Sequence, residues 1–163
     1  MSVACESPKL PKERVIVGGI IHRRKDSTLS QQENIASQQA FGSAVNSGRL
    51  DELDTLVATD SVDHDPAPGQ VSGPQGYRDM FGELRAAFPD MHLEVDRLVA
   101  NDTDVSFAYT LSGTHDGPFQ GHPPTGKSFS VHGLQISRFE DAKLVERWGS
   151  SDQLSLMQQL GLA

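Results

Sequence analysis

Several side chains in the second half of the chain have the chemistry to move a proton. Asp152 stands just before a helix-like tail. A carboxylate withdrawn from water there would titrate nearer the acidity of an activated C–H, which is what a general base needs. Asp at a helix start is equally a routine cap, because the first turn offers free N–H groups and the positive end of the dipole. His132 and Arg138 lie six residues apart in an alternating run. At strand rise that is roughly 20 Å, so at most one of them can steady an enolate oxygen at the reacting centre. The structural alternative is a core histidine and a rim arginine paired with Glu146. His64 sits between Asp63 and Asp65, an order that invites a metal ion. Neighbours in a strand point to opposite faces and cannot chelate together, and no second His falls at ligand spacing, so no metal is expected.

The residues from Val131 to Asp152 read as one long hairpin: VHGLQISRF, the turn EDAK, then LVERWGSSD. Period two puts His132, Leu134, Ile136 and Arg138 on one face and Gly133, Gln135, Ser137 and Phe139 on the other. Leu144, Glu146 and Trp148 share a face of the return run. On this reading His132, Arg138, Glu146 and Asp152 look into a concave interior, a few polar groups among apolar ones, as in a small-molecule pocket.

The elements that must hold this hairpin come in two groups. Ser30 and Glu33 have capping-box spacing, predicting a helix to Val45 with an alanine-rich face that ends at Gly48. Leu50, Leu53, Leu56 and Val57 recur at helical spacing with Asp51 as a cap. Pro74 to Phe88 forms the clearest helix, with Tyr77, Met80, Phe81, Leu84 and Phe88 on one stripe and Pro89 as the stop. Alternation then takes over at 91–100, 104–112, 128–139 and 143–150, and Gln153–Leu160 makes a short closing helix. Helices first and a meander afterwards imply an α+β fold, one curved antiparallel sheet with the N-terminal helices packed on it. The Gly- and Pro-rich loop 113–127, His115 included, is architectural, and it lacks the order of a phosphate cradle.

With 163 residues the chain has room for one domain with a proper core. Residues 1–29 form an extension that is either loose or, through Val15–Ile21, an added edge strand; the domain itself spans 30–163. The extension holds six of the 14 basic and three of the 22 acidic residues, so the domain carries a net −11, which repels phosphate backbones and excludes nucleic acid as a partner. A single cysteine, Cys5, excludes an internal disulfide, and no apolar run approaches the ~20 residues that span a bilayer. A soluble, cytoplasmic protein without membrane contact is expected.

The fragments DSVDHDP (60–66), AFPDMHLEV (87–95), SGTHDGPFQGHPPTGK (112–127) and RFEDAKLVERW (138–148), then Asp152 and QQLG (158–161), occur in that order. Together they resemble the SnoaL-like polyketide cyclases of the nuclear-transport-factor-2-like superfamily, over about residues 30–161. The resemblance implies a cone-shaped α+β barrel whose open sheet wraps a pocket, often dimeric. It implies an intramolecular aldol ring closure of a hydrophobic carbonyl compound with no metal or cofactor. An aspartate after the tryptophan strand is the family's acid/base residue, and Asp152 matches it; substrate contact then falls to His64, Phe81, His132, Arg138 and Trp148. Two departures stand out: Ala142 replaces the usual glycine, and the polar substrate contacts of characterised cyclases are not all present. An isomerase or dehydratase, or a non-catalytic small-molecule binder, is the alternative on the same fold.

Overall fold

A computed structural model describes residues 27–163. Helix α1 (Ser27–Ser47) leads through a 3-10 turn (Leu50–Glu52) and a one-turn helix α2 (Leu53–Leu56) into strand β1 (Val57–Asp63). Helix α3 (Pro74–Ala87) follows, then β2 (His92–Ala100), β3 (Asp104–Thr114), β4 (Ser128–Glu140), β5 (Lys143–Ser151) and α4 (Gln153–Leu160). The strands form one curved, unclosed sheet in the order β1-β5-β4-β3-β2. The four strands of the expected meander are all present and antiparallel. The fold is the expected α+β cone.

Three expectations need correction. The sheet is mixed, because residues 57–63 form a fifth strand parallel to β5 where Val57 was read as helical. Helix α1 starts at Ser27, so Ser30 lies inside it instead of capping it, and Asp51 sits within the 3-10 turn. The third correction decides where a ligand can sit. Along β4, Phe129, Val131, Gly133, Gln135, Ser137 and Phe139 are buried, and the intervening His132, Leu134, Ile136 and Arg138 are exposed. The face read as concave is the outer one. The proposed strand at Val15–Ile21 lies outside the described residues.

Helix α1 is fastened to the sheet at both ends. Near its start Gln31 Nε2 donates to the Ala100 carbonyl (2.7 Å) and Asn34 Nδ2 to that of Asp102 (3.0 Å). Near its end Asn46 exchanges two hydrogen bonds of 2.8 Å with the Leu93 backbone. Arg85 of α3 donates to the Val45 and Asn46 carbonyls at the end of the helix, the first of which also accepts from the Gly48 amide, and Gly48 takes the left-handed turn (φ 73°). Between these ties the middle of α1 spans the sheet with only its small and aromatic face (Phe41, Ala44, Val45) in the core. In the loop after β3, His115 is fully buried, with Nδ1 3.1 Å from Thr125 Oγ1, and the Asp116 and Gly117 amides donate to the Ala87 carbonyl. That histidine holds the loop closed against the end of α3.

The β4–β5 turn has both central residues at positive φ, Asp141 at 47° and Ala142 at 60°. A two-residue hairpin loop of that kind matches the twist of its strands and favours glycine at the second position. Ala142→Gly should therefore stabilise the protein by about 1 kcal/mol. An unchanged or lower denaturant midpoint would contradict this.

Candidate functional site

The inner face of the sheet and the middle of α1 enclose a chamber of about 410 Å³. Its wall is mostly apolar: Ile35, Phe41 and Val45 from α1, Phe81 from α3, Leu93, Val95 and Leu98 from β2, and Phe107 from β3. Gln135 of β4 also lines it, and α1 adds the polar Gln38, Gln39, Ser43 and Asn46. A cavity of this size with few polar groups is the usual form of a small-molecule site.

Behind Gln135 runs a buried polar line. Arg147 Nε donates to Gln135 Oε1 at 3.0 Å, and Arg147 Nη1 reaches both carboxylate oxygens of Asp63 at 3.0 and 2.9 Å. The side chains of Arg147 and Asp63 are 12% and 4% exposed. Asp63 also accepts from Gln70 Nε2 and from the Asp65 amide, each at 3.1 Å. Gln135 Nε2 donates to Ser137 Oγ at 2.8 Å, which uses one of its two hydrogens. The second hydrogen has no acceptor among the described residues, and Gln135 lines the chamber. Because Arg147 draws on the amide oxygen, that remaining N–H is a stronger donor than a free amide would be.

Beside this line the Tyr77 and Ser61 hydroxyls are buried without a hydrogen bond of normal geometry. Burial pushes the Tyr77 hydroxyl up to about 12; the Asp63 charge adds to the rise, while Ser61 and Arg147 pull against it. Tyr77 is therefore a neutral hydroxyl at any ordinary pH, packed edge-on against Phe41 at 5.8 Å.

The outer face carries most of the residues picked from the sequence, in two groups. His132 Nδ1 lies 3.2 Å from Thr110 Oγ1, which in turn lies 3.0 Å from an Asp96 oxygen. His132 and Asp96 line a shallow groove together with Leu134, Ser150 and Asp152. Asp152 is the exposed N-cap of α4, its Oδ1 accepting from the Ser155 amide at 2.9 Å. The second group surrounds Glu146. His64 Nε2 and Arg138 Nη1 each lie 2.9 Å from one of its oxygens, and the His64 ring stacks on Trp148 at 4.3 Å. The hydrogen bond from His64, with the Arg138 charge behind it, holds the Glu146 carboxyl below its usual range against a smaller opposing effect of burial. Within Asp63-His64-Asp65, the first side chain turns inward to Arg147 and the second outward to Glu146. Among the described residues no three His, Cys, Asp or Glu side chains converge as a metal site would require.

Of the six residues singled out, then, Phe81 alone lines the chamber. His132 and Asp152 come together in the groove, and His64, Arg138 and Trp148 meet around Glu146. The sequence reading missed Gln38, Gln135, Arg147 and Asp63. Alternation placed Gln135 opposite His132, so a correct choice of the inner face was the one signal that could have found it.

Comparison with known proteins adds an independent line. The model of the SnoaL-like polyketide cyclases matches residues 35–160. The chain is 31% identical over 123 residues to the nogalonic acid methyl ester cyclase of Streptomyces nogalater, an overlap of 73% of this chain and 90% of that protein. It is 27% identical over 124 residues to the aklanonic acid methyl ester cyclase DnrD of Streptomyces peucetius, covering 72% and 83%. Among solved structures, TsrD of Streptomyces laurentii superposes with a TM-score of 0.74 at 28% identity, covering 81% of this chain and 97% of that one. A SnoaL-like polyketide cyclase of Agrobacterium tumefaciens superposes at 0.67 with 26% identity, covering 78% and 98%.

The Tyr77 hydroxyl, with Ser61 beside it but no hydrogen bond of normal geometry, yields a test of this burial. Tyr77→Phe should leave stability at pH 7 unchanged or raise it by about 1 kcal/mol, because a buried donor without an acceptor is unfavourable. The sign of the pH effect follows from the raised value. Stability held by the neutral phenol is complete below the ordinary tyrosine value near 10 and is lost as pH rises through about 12. The variant should therefore lose less stability than the parent between those two values. Denaturant melts at pH 7, 10 and 11.5 measure it, and a large loss at pH 7 would show that the hydroxyl is bonded.

Proposed function

The chain belongs to the SnoaL-like polyketide cyclase family, and from that premise we propose that it is a cofactor-free enzyme closing a ring in a polyketide-derived carbonyl compound held in the chamber. The observation that carries this reading is the Gln135 amide, backed by buried Arg147 and Asp63, in the wall of a mostly apolar enclosure. A proton leaves the carbon beside one carbonyl, and the electron pair moves onto that oxygen as an enolate. The free N–H of Gln135 donates to the oxygen as it charges, and no reorganisation is needed because Arg147 and Ser137 already fix the amide. The enolate carbon then bonds to a second carbonyl carbon of the same molecule, and the new alkoxide takes a proton back. The apolar walls fold the substrate so that its two ends meet, which supplies the proximity.

The lining of the chamber includes no carboxylate among the described residues. In this reading the proton passes to water at the edge of the chamber, where Val95 is 45% exposed. Conjugation in the substrate lowers the demand on a base. One observation favours a second location for the chemistry: Asp152 and His132 line a common groove on the outer face. There Asp152 would be the base and His132 the enolate donor, with Leu134 as the apolar floor.

The same outer face exposes Leu134 (65%), Ile136 (46%) and Trp148 (36%) around the ion pairs of Glu146. We infer that a second copy of the chain covers it, making a homodimer in which His64, Arg138 and Trp148 serve the interface. Light scattering at micromolar concentration should give twice the monomer mass, and a monomer would overturn the inference.

Turnover tests both locations. Nogalonic and aklanonic acid methyl esters are the substrates to try first, with ring closure followed by chromatography. If the chamber is the site, Gln135→Met should lower kcat by roughly 10²–10³. Asp152→Asn should then cost at most ~1 kcal/mol of stability as a changed cap and leave turnover intact. If the groove is the site, Asp152→Asn should lower turnover by roughly 10²–10⁴ and Gln135→Met should not. Tight binding of these esters without turnover would make the protein a carrier.

A further inference from the structure

Gln38 lies on the middle turn of α1, between the two points where that helix is tied to the sheet. It is 7% exposed and lines the chamber. Among the described residues its amide has no hydrogen-bond partner, unlike Gln31, Asn34 and Asn46 on the same helix, each of which bonds the backbone of β2 or of the turn after it. The amide is not sealed in the core: it opens onto the chamber, where methionine or leucine would line the same wall without a polar group. Water can meet the amide there, and a ligand that displaces the water must supply a hydrogen bond in its place or leave the amide unpaired.

We propose that Gln38 is a specificity-determining residue that bonds an oxygen of the bound compound across the chamber from Gln135. The inference rests on the chamber being the ligand site. The two amides divide the work. Gln135 has its carbonyl engaged by Arg147 and keeps one N–H without a partner, so it donates to a carbonyl or enolate oxygen. Gln38 has both its carbonyl and its NH₂ free and can meet a ketone or a hydroxyl. The ligand class is therefore a flat, largely apolar molecule with oxygen substituents on two opposite edges, since a purely hydrocarbon edge would leave the amide unpaired. Discrimination against a molecule lacking that oxygen is strong in such a site, because the protein's own polar group is then stranded.

Three substituted naphthalenes test this with the intact protein: 2-acetylnaphthalene, which only accepts, 2-naphthol, which donates and accepts, and 2-ethylnaphthalene, which does neither. Calorimetry gives Kd for each with the parent, Gln38→Met and Gln38→Glu. The readout is the ratio of affinities within one variant, so a general loss of packing cancels. Gln38→Met should shift the ratio of acetyl to ethyl probe about three- to tenfold toward the hydrocarbon. Gln38→Glu, ionised and acceptor-only, should weaken the acetyl probe similarly while retaining 2-naphthol. Unchanged ratios in both variants, with the probes still bound, would overturn the role of Gln38. Failure of all three probes to bind the parent would instead overturn the chamber as ligand site. If Gln38→Met does not fold, Gln38→Glu alone decides through its opposite effects on ketone and phenol.

Discussion

The ion pair between Asp63 and Arg147 is the interaction on which the arrangement of this fold depends. It joins the end of β1 to the middle of its parallel neighbour β5, across the register Asp63–Arg147. Taking two charges out of water costs several kcal/mol per ion, which a single contact does not recover. Here the carboxylate accepts from Arg147 with both oxygens, from Gln70 and from the Asp65 amide, and the guanidinium also donates to Gln135. Removing either partner would strand the other in the core, so the pair fixes strand order even where its net contribution to stability is small. It also explains why a polar pair, Gln135 and Ser137, occupies the buried face of β4: the line from Arg147 satisfies both.

That same satisfaction is why the inner face was not legible in the sequence. Period two divides β4 into two rows and says nothing about which row is inside. Leu134 and Ile136 make one row look more apolar than Gly133, Gln135 and Ser137, and the choice by hydrophobicity is then the wrong one. Gly133 is on the inner row because the Tyr109 ring lies over it, leaving no room for a Cβ. Strand β1 was hidden for a related reason. Its residues VATDSVD alternate weakly, and what makes them a strand is pairing with residues more than eighty positions later. Local signals did suffice elsewhere. Helix α3 follows from Pro74 and its apolar stripe, and the closing helix has the predicted bounds.

Two bulges complete the account of what faces where. In β5 one extra residue, Val145, lets Leu144 pair with Phe139 inside and Glu146 with Arg138 outside. Strict alternation would have kept Leu144, Glu146 and Trp148 on one face, as the sequence reading assumed. In β2 the extra residue is Asp96, after which Arg97 pairs with Ala108 and Leu98 returns to the chamber. A bulge shifts every later side chain by one face, so single residues decide whether a carboxylate meets solvent or core. They have no sequence signature that alternation alone can detect.

The ring closure proposed for the chamber suits a donor set back from the charge. Asp63 neutralises Arg147, so the line behind the chamber carries little net charge but keeps its positive end toward Gln135. A guanidinium in direct contact with an enolate would hold it as a tight ion pair in a low-dielectric space, and the charge must still leave that oxygen for a new one when the ring closes. An amide polarised from behind stabilises the enolate less deeply and releases it more readily. Catalysis depends on the difference between ground and transition states, so an interaction that over-stabilises the intermediate would slow the second half of the reaction. The neutral Gln135 at the wall, with its ion pair one hydrogen bond further back, is the arrangement that avoids that trap.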